Sequence, residues 1–394
     1  MTRIVIIGAG QAAGRAAEAL REGRHQGSIT LIGEEPHAPY ERPSLSKELL
    51  TDGDDQRIVW VRPLSWYAES SIDLRLSSRA VGIDRSGKRV WCADGSSLPY
   101  DDLILATGSR PRPLPIDHPN CLTLRTIEDG KRIAASLSPG KHVVVIGAGF
   151  IGLEVAAAAR GHGCEVTVYE QADRPMARGV PAEIGHFYAD LHRRQGVELH
   201  TGCQSFDLSR ADLVVVGIGV VPNCELAAEA GLAVDNGLLV DQFGRSSDPA
   251  IYGAGDVTNH FNPLLGQHVR LESWQNAQNQ AIAVARNILG AVQPYAEIPW
   301  FWSDQYGRNL QIAGGPNAAD FSLTRGELGD GPSLSFYFRG ERLVGLIGID
   351  SGRDMRFARE ILAMAVQADP AALADTSVKL ADLYKSLKAG ATAA

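Results

Sequence analysis

The chain has 394 residues, with 38 Lys and Arg against 46 Asp and Glu, so its formal net charge is −8. Hydrophobic residues make up 44% of the chain and charged residues 21%, which is ordinary for a folded protein with a large core. This composition excludes wholesale disorder. The acidic balance disfavours a nucleic-acid-binding protein, because such a protein needs a basic surface.

Five cysteines lie far apart in the chain: Cys92, Cys121, Cys164, Cys203 and Cys224. None forms a C-x-x-C motif, so we expect no dithiol redox centre and no metal or iron–sulfur site. Scattered cysteines are typical of a reducing compartment, and the N-terminal apolar run is too short for a signal peptide. The sequence therefore predicts a cytoplasmic protein, and no run approaches the roughly 20 apolar residues of a membrane span.

The N-terminus has the pattern of a nucleotide-binding βαβ unit. An apolar run over residues 2–7 predicts a buried strand, and the sequence G-A-G-Q-A-A follows at Gly8–Ala13. An alanine-rich helix is predicted over 12–21 and a second strand over 28–32, which ends at Gly33-Glu34-Glu35. Strand, glycine turn, helix, strand and acid in this order are typical of a dinucleotide site.

Each position of this motif has a physical task. Gly8 makes the tight turn, Gly10 lets the backbone approach a pyrophosphate, and the small Ala13 lets the helix pack on the strand. The helix N-terminus adds backbone N–H donors and the positive end of the helix dipole. Glu34 would accept hydrogen bonds from an adenosine ribose, with the neighbouring Glu35 as the alternative.

The same pattern recurs in the middle of the chain. A strand over 142–146 leads into G-A-G-F-I-G at Gly147–Gly152, then a helix over 153–160 and a strand over 165–169 that ends at Glu170. An acid at Glu170 would bind a ribose and repel a 2′-phosphate, which favours NAD over NADP. Two dinucleotide sites in one chain indicate a resident and a visiting cofactor, as in a flavoprotein that NADH reduces.

Further strands are predicted at Asp102–Ala106, Leu213–Val216, Leu238–Val240 and Ile251–Tyr252. Between the two βαβ units, three prolines within 111–115 predict a stiff crossover between domains. From about Pro299 the pattern changes to alternating segments at Ser333–Arg339 and Arg342–Ile349, which predict antiparallel strands. Helices are predicted at Asp354–Gln367 and Ser377–Leu387.

Several motifs together resemble a known family. They are P-Y-E-R-P-S-L-S-K at 39–47, A-T-G at 106–108, G-D at 255–256 and W-F-W-S-D-Q at 300–305. The chain resembles the FAD-dependent pyridine nucleotide–disulphide oxidoreductases of glutathione-reductase type, and within them the ferredoxin reductases of bacterial aromatic-ring dioxygenase systems and of the putidaredoxin reductase type. The resemblance covers essentially the whole chain.

The resemblance implies an α/β fold with two Rossmann-like dinucleotide-binding domains and a C-terminal α+β domain. The expected FAD domain comprises residues 1–109 and 227–300, the NAD domain 110–226, and the C-terminal domain 301–394. In one respect the chain departs from the family, because the connection from Val197–His200 to Leu213–Val216 is too short for the usual β-hairpin.

The resemblance also assigns roles to individual residues. Lys47, Glu154 and Trp302 are the expected catalytic residues, with Lys47 near the reactive edge of the flavin and Glu154 at the nicotinamide. Because a buried charge needs a partner, Lys47 and Glu154 are expected to pair there. Asp256 would meet the ribityl chain at a helix N-terminus, and Trp274 and Trp302 would flank the isoalloxazine. The residues expected to contact tightly but non-covalently bound FAD are Gly8, Gly10, Gln11, Ala12, Ala13, Glu34, Arg42, Lys47, Val81 (through its backbone), Ala106, Thr107, Gly108, Arg125, Asp256, Trp274 and Trp302. Those expected to contact NADH are Gly147, Gly149, Phe150, Ile151, Gly152, Glu154, Glu170 and Gly219.

The implied activity is electron transfer from NADH through FAD to a [2Fe–2S] ferredoxin of an oxygenase system, by a monomer or weak dimer. Two alternatives stay open: a reductase of rubredoxin or another carrier, and a non-enzymatic NAD(H)-sensing interaction protein. Because the chain is itself acidic, an acidic ferredoxin needs a local basic patch. The candidate residues for this patch are Arg308, Arg339, Arg342, Arg353 and Arg356.

Overall fold

The computed structural model describes residues 2–52, 55–365 and 367–393. The chain divides into two compact units. The first unit comprises the residues up to Ser44 together with Gln56–Arg110 and Val220–Glu297. The second unit comprises Leu45–Asp55, Pro111–Gly219 and the residues from Ile298 onward.

The strands in chain order are β1 (Ile4–Ile7), β2 (Ile29–Ile32), β3 (Ile72–Arg75), β4 (Ala80–Asp84), β5 (Arg89–Cys92), β6 (Ser97–Pro99), β7 (Asp102–Leu105), β8 (Ser109–Pro111), β9 (Cys121–Leu122), β10 (His142–Ile146), β11 (Glu165–Tyr169), β12 (Val197–His200), β13 (Leu213–Val216), β14 (Val220–Pro222), β15 (Leu238–Val240), β16 (Ile251–Gly253), β17 (Thr258–Asn262), β18 (Gln267–Val269), β19 (Trp300–Gln305), β20 (Arg308–Gly314), β21 (Phe321–Glu327), β22 (Asp330–Arg339) and β23 (Arg342–Ile349). The α-helices are α1 (Gln11–Glu22), α2 (Pro43–Ser46), α3 (Glu48–Asp52), α4 (Leu64–Glu69), α5 (Ile127–Ser136), α6 (Phe150–Gly161), α7 (Ala182–Arg194), α8 (Glu225–Glu229), α9 (Trp274–Ile288), α10 (Gly352–Met364), α11 (Pro370–Ala374) and α12 (Leu380–Ala393).

The first unit is built on a parallel sheet in the order β16-β7-β1-β2-β3. Its central strand β1 is apolar throughout because both of its faces are covered. Ile4 and Ile6 pack into the cluster that contains the alanines of α1, whereas Val5 and Ile7 pack into a second cluster on the other face. The sheet therefore carries the first glycine loop at the carboxyl end of β1, between β1 and α1.

The second unit contains a parallel sheet in the order β12-β11-β10-β13-β9. Its central strand β10 divides in the same way, with Val143 and Val145 on one face and Val144 and Ile146 on the other. The segment between β12 and β13 contains no strand, which confirms the expected absence of a hairpin there. The second glycine loop lies between β10 and α6.

The second unit also contains a five-stranded antiparallel sheet in the order β19-β20-β23-β22-β21, and α10 packs on it. The predicted helix over 354–367 begins at Gly352 and ends at Met364, because Ala365 takes a φ of 52° that no right-handed helix contains. Two parallel sheets and an antiparallel sheet confirm the predicted fold class, while the three domain boundaries stay predictions. Among the described residues, no helix is long and apolar enough to cross a membrane.

Candidate functional site

The first glycine loop forms an open cradle at the N-terminus of α1. Gly10 is the N-cap, no side chain caps the helix, and its first turn holds no acidic residue. A Cβ added to Gly10 would meet only the Arg42 Nη2 atom, at 3.9 Å. The uncapped N–H groups, and the room that a Cβ on Gly10 would have, fit a pyrophosphate, as the sequence predicts.

The other small residues of the loop are fixed by close packing. Gly8 has a φ of 122°, and a Cβ there would lie 2.1 Å from the Ala106 carbonyl oxygen. Ala12 and Ala13 are buried, and the Gln11 side chain donates to the Trp274 carbonyl at 3.3 Å. The structure thus brings the predicted residues 8–13, Ala106 and Trp274 together in the first unit.

Arg42 lies beside this loop in a polar cluster. Its Nη2 donates to Glu35 at 2.7 Å and its Nη1 to the Tyr40 hydroxyl at 2.9 Å, while Tyr40 donates to Glu35 at 2.6 Å. Burial of the guanidinium by itself would lower the pKa of Arg42. The electrostatic interactions with Tyr40, Glu35 and Asp256 outweigh this effect, so the pKa of Arg42 is raised. Glu35 is engaged in this cluster. Glu34 has a side chain 74% exposed, with Arg79 Nε at 4.0 Å, so its carboxylate is accessible to a ribose.

Thr107, Gly108 and Asp256 adjoin each other on the first unit. Reciprocal hydrogen bonds join Thr107 to Asn223, with Thr107 Oγ1 donating to the Asn223 carbonyl at 2.7 Å and Asn223 Nδ2 to the Thr107 carbonyl at 2.9 Å. Ser109 Oγ donates to Asp256 at 2.8 Å. Sequence reasoning missed Asn223, although an Asn directly after a proline at a strand end is a signal of turn chemistry.

Asp256 does not itself begin a helix, but the adjacent Gly255 lies beside the first turns of α1 and α9, where an added Cβ would be 3.0 Å from Ala12 Cβ and 3.8 Å from Ala277 Cα. Asp256 lies in a turn, and the strand β17 begins two residues later. Val257 and Thr258 are β-branched and favour a strand, and β17 pairs with β15 in parallel and with β18 in antiparallel fashion. The role of Asp256 towards a ribityl chain stays a prediction.

Val81 lies in β4 at an irregularity of the strand. Ala80 pairs with Cys92 and Gly82 with Trp91, and the register shifts between them, so Val81 is left out of the pairing with β5. A bulge of this kind exposes the backbone groups of the extra residue. The predicted backbone contact of Val81 with adenine is compatible with this geometry and stays a prediction.

The second glycine loop repeats the cradle in the second unit. Gly149 is the N-cap of α6 without a side-chain cap, and a Cβ on it would meet only the Gly217 carbonyl oxygen, at 3.8 Å. A Cβ on Gly152 would lie 2.0 Å from the Gly147 carbonyl oxygen, so the helix approaches the strand closely here. Next to Gly152, Ile151 is 43% exposed, and Phe150 packs on Phe301 at 4.6 Å between ring centroids.

Glu170 is tied to this loop. Its carboxylate accepts the Ala148 N–H at 2.7 Å and the Ala172 N–H at 2.8 Å. The acid predicted to bind a ribose therefore also holds the glycine loop in place. Across the loop, Gly219 has a φ of 97°, and the exposed Arg178 lies over it, with its Nη2 atom 3.1 Å from the position of an added Cβ. Sequence reasoning missed Arg178.

Lys47 and Glu154 form the ion pair that the sequence predicts. Lys47 Nζ donates to Glu154 Oε1 at 2.8 Å, and the Glu154 side chain is 3% exposed. Ser46 Oγ donates to Oε2 at 2.5 Å, Ser303 Oγ donates to Oε1 at 2.7 Å, and the Asp304 N–H approaches Oε1 at 3.4 Å. A buried carboxylate is tolerated only when it is paired and hydrogen-bonded, and both conditions are met here.

Trp302 lies next to this pair. The Lys47 ammonium is 5.9 Å from its ring centroid, and Trp302 stacks on Trp300 at 5.1 Å with an interplanar angle of 20°. Its indole N–H donates to Asp304 at 3.1 Å. Arg125 lies two residues before α5 and donates its backbone N–H to Asp129 at 3.0 Å. Its predicted contact with FAD stays a prediction.

Comparison with known proteins is informative along the whole chain. A family profile described as pyridine nucleotide-disulphide oxidoreductase matches residues 2–281, and one described as reductase C-terminal matches residues 300–384. The chain is 46% identical over 400 residues to the anthranilate 1,2-dioxygenase system ferredoxin–NAD(+) reductase component of Burkholderia cepacia, covering 95% of this chain and 98% of that protein.

One further relative and one solved structure also match nearly the whole chain. Rhodocoxin reductase of Rhodococcus erythropolis is 42% identical over 397 residues, covering 96% of this chain and 93% of that protein. Among solved structures, the covalent putidaredoxin reductase–putidaredoxin complex matches with a TM-score of 0.94 and 35% identity, covering 98% of this chain and 99% of that chain.

Proposed function

Because the chain belongs to the pyridine nucleotide–disulphide oxidoreductase family, we propose that it carries electrons from NADH through FAD to a [2Fe–2S] ferredoxin of an oxygenase system. It is an oxidoreductase that uses FAD and NADH. The observation that carries the proposal is the end-to-end match to ferredoxin–NAD(+) reductase components, together with two glycine cradles that each leave a helix N-terminus open for a phosphate.

FAD supplies the redox chemistry when bound, since a flavin accepts two electrons as hydride and releases them singly. The chain supplies binding and electrostatics. We assign the first glycine loop, Arg42 and Asp256 to FAD, and the second loop and Glu170 to NADH. Lys47 and Glu154 provide a fixed charge pair whose orientation is already set by Ser46 and Ser303, so no reorganisation is needed during hydride transfer.

The direct test of the proposal is reduction of a purified [2Fe–2S] ferredoxin by NADH, followed by cytochrome c reduction. We expect turnover that depends on both the reductase and the ferredoxin. A rubredoxin in place of the ferredoxin tests the alternative carrier. FAD that NADH bleaches without any turnover of a [2Fe–2S] acceptor would contradict the proposed partner.

The candidate docking arginines separate into two groups in the second unit. Arg339 and Arg342 pair across the hairpin at the start of β23, whereas Arg353 and Arg356 lie on the first turns of α10, just after β23 ends. β23, which lies between the two groups in the chain, is about 23 Å long at 3.3 Å per residue. The charge of Arg308 is offset by Asp350 at 2.7 Å.

We therefore assign docking to the exposed Arg353 and Arg356. One turn further along α10, the Arg359 guanidinium lies 4.9 Å from the Trp300 ring centroid, so this face of the helix adjoins the stacked tryptophans. An acidic ferredoxin needs such a local patch, because the net charge of the reductase is −8.

Charge reversal is expected to separate docking from catalysis. The double variant R353E/R356E should slow ferredoxin-dependent cytochrome c reduction about ten-fold at low salt, and rising ionic strength should reduce the difference from wild type. NADH–ferricyanide turnover, which needs no protein docking, should stay unchanged. The matched control is Arg342→Glu, at the other end of β23, which should have little effect. The assignment would be contradicted if R353E/R356E slowed ferricyanide turnover as much as cytochrome c reduction. It would also be contradicted if Arg342→Glu slowed cytochrome c reduction as much as the double variant.

A second prediction concerns the cofactor preference. NADH should be used with a higher kcat/KM than NADPH, because a 2′-phosphate would meet the Glu170 carboxylate. Glu170→Gln removes the charge while keeping an acceptor for one of the two backbone N–H groups. We expect the ratio of the two kcat/KM values to fall about ten-fold, measured by steady-state NAD(P)H–ferricyanide kinetics. Equal use of both cofactors by the wild type would refute the role of Glu170.

We also propose a cytoplasmic location and a monomer or weak dimer. The five cysteines are free thiols, which is typical of a reducing compartment and suits an enzyme that consumes NADH. Light scattering over a range of concentrations measures the oligomeric state.

A further inference from the structure

A chain of buried polar side chains extends from Glu154 into the second unit. Ser303 Oγ donates to Glu154 Oε1 at 2.7 Å, Gln305 Nε2 donates to Ser303 Oγ at 3.0 Å, and Gln305 Oε1 lies 2.8 Å from His192 Nε2. Ser303 and His192 are fully buried and Gln305 is 2% exposed. Gln305 and His192 have no role in the function proposed above, and Ser303 enters it only as a hydrogen-bond donor to Glu154.

The alternation of β19 creates this chain. Ser303 and Gln305 are two residues apart, so both point to the buried face of the strand, as does Phe301, which packs on Phe150 of α6. Trp302 points to the opposite face. An apolar pair at 303 and 305 would fill the same space without burying polar groups, which cost free energy unless each is hydrogen-bonded.

The hydrogen bonds of this series all donate in one direction, from His192 towards Glu154. Because the Gln305 carbonyl oxygen faces His192, the imidazole must donate from Nε2, and the Gln305 amide must donate to Ser303. The Ser303 proton is then available for Glu154. With the amide reversed, the carbonyl oxygen would face Ser303 and attract the same proton away from the carboxylate.

His192 has the protonation state that this direction requires. Burial, partly offset by the hydrogen bond to Gln305, lowers the pKa of His192 to about 4, so the ring is neutral at pH 7. A neutral ring that donates from Nε2 has an acceptor at Nδ1, and the Tyr306 hydroxyl lies 3.4 Å from that atom. Burial raises the pKa of Tyr306, so its hydroxyl keeps its proton and can donate.

We propose that Gln305 and His192 are positioning residues that act on hydride transfer through Ser303, by directing a continuous series of hydrogen-bond donors at the Glu154 carboxylate. Donors in series polarise one another in a low-dielectric interior, which strengthens the last bond to the anion. The carboxylate is thereby held as an oriented anion next to Lys47. This inference rests on the NADH-to-FAD half of the proposed function and is independent of the identity of the electron acceptor.

The first test measures the protonation of His192 directly and needs no turnover. Imidazole ¹⁵N spectra of the FAD-loaded protein at pH 7, assigned by difference from His192→Gln, should show a neutral ring with the proton on Nε2. A proton on Nδ1, or a cationic ring, would overturn the proposed direction of the chain.

The second test uses a double-mutant cycle in stopped-flow reduction of bound FAD by NADH. Ser303→Ala and Gln305→Leu should each lower the limiting rate about ten-fold, with the half-saturating NADH concentration unchanged. Because Gln305 acts through Ser303, the double variant should be no slower than Ser303→Ala alone. The matched control is Tyr337→Phe, which removes a hydrogen bond of 3.0 Å to Glu183 at the other end of α7 and should leave the rate unchanged.

The outcomes separate the possible failures. The positioning role of Gln305 would be overturned if the double variant lowered the limiting rate by the product of the two single reductions. It would also be overturned if Gln305→Leu left the limiting rate unchanged. If Glu154→Gln leaves flavin reduction unchanged while the His192 spectrum is as expected, the chain exists but the proposed role of Glu154 is wrong. Should Gln305→Leu fail to take up FAD, the ¹⁵N measurement on the wild type still decides the direction of the chain.

Discussion

Replacing Glu154 with glutamine is expected to slow the reduction of bound FAD by NADH by roughly 10- to 100-fold. The carboxylate accepts hydrogen bonds from Lys47, Ser46 and Ser303, and a hydrogen bond to a charged group contributes about 1.5–3 kcal/mol. An amide has one acceptor oxygen, and its NH₂ group would face at least one of these donors. Stopped-flow bleaching of the flavin absorbance measures this step in the absence of a ferredoxin.

The control for this variant is Glu183→Gln. Glu183 is a carboxylate of the same unit that also accepts a hydrogen bond from a buried side chain, the Tyr337 hydroxyl. It has no contact with Lys47 in the structure, so its neutralisation should leave the rate of flavin reduction unchanged. If FAD in Glu154→Gln is reduced as fast as in the wild type, the Glu154 carboxylate has no role in flavin reduction and the residue contributes only to the packing of α6.

Replacing Gly8 with alanine is expected to destabilise the first unit by about 4 kcal/mol. The new Cβ would lie 2.1 Å from the Ala106 carbonyl oxygen and 2.7 Å from its carbon, and the backbone would have to keep a φ of 122°. Both obstacles involve backbone atoms, so no side-chain rotation relieves them. We expect a drop of roughly 10 °C in the midpoint of thermal unfolding, measured by circular dichroism, and loss of the yellow colour.

Gly10 provides the matched comparison two residues away. Its φ of −89° is accessible to alanine, and a Cβ there would meet only the end of the Arg42 side chain at 3.9 Å. Gly10→Ala should therefore keep the unfolding midpoint of the apoprotein but weaken FAD binding, because the methyl group occupies the volume assigned to the pyrophosphate. If the two variants lose stability equally, the contact of Gly8 with Ala106 is not what requires glycine at that position.

The sequence by itself determined the features that depend on neighbouring residues. Both βαβ units, their glycine turns and the strands β10 and β13 follow from continuous apolar runs, because a strand buried on both faces has such a run. The antiparallel strand β23 follows from an alternating pattern. The pair Lys47–Glu154 was predicted only through the family motifs. No local pattern indicates that residues 107 positions apart form an ion pair.

Tertiary packing decided the rest, because partners distant in the chain set the final structure. Asp256 precedes a strand and not a helix, since pairing with β15 and β18 takes up the backbone groups of Thr258–Asn262. Glu35 rather than Glu34 contacts Arg42, which only the path of the chain beyond β2 could settle. Ser303 and Gln305 reach Glu154 and His192 across 149 and 113 residues, and a chain of hydrogen bonds exists only after α6, α7 and β19 have packed together.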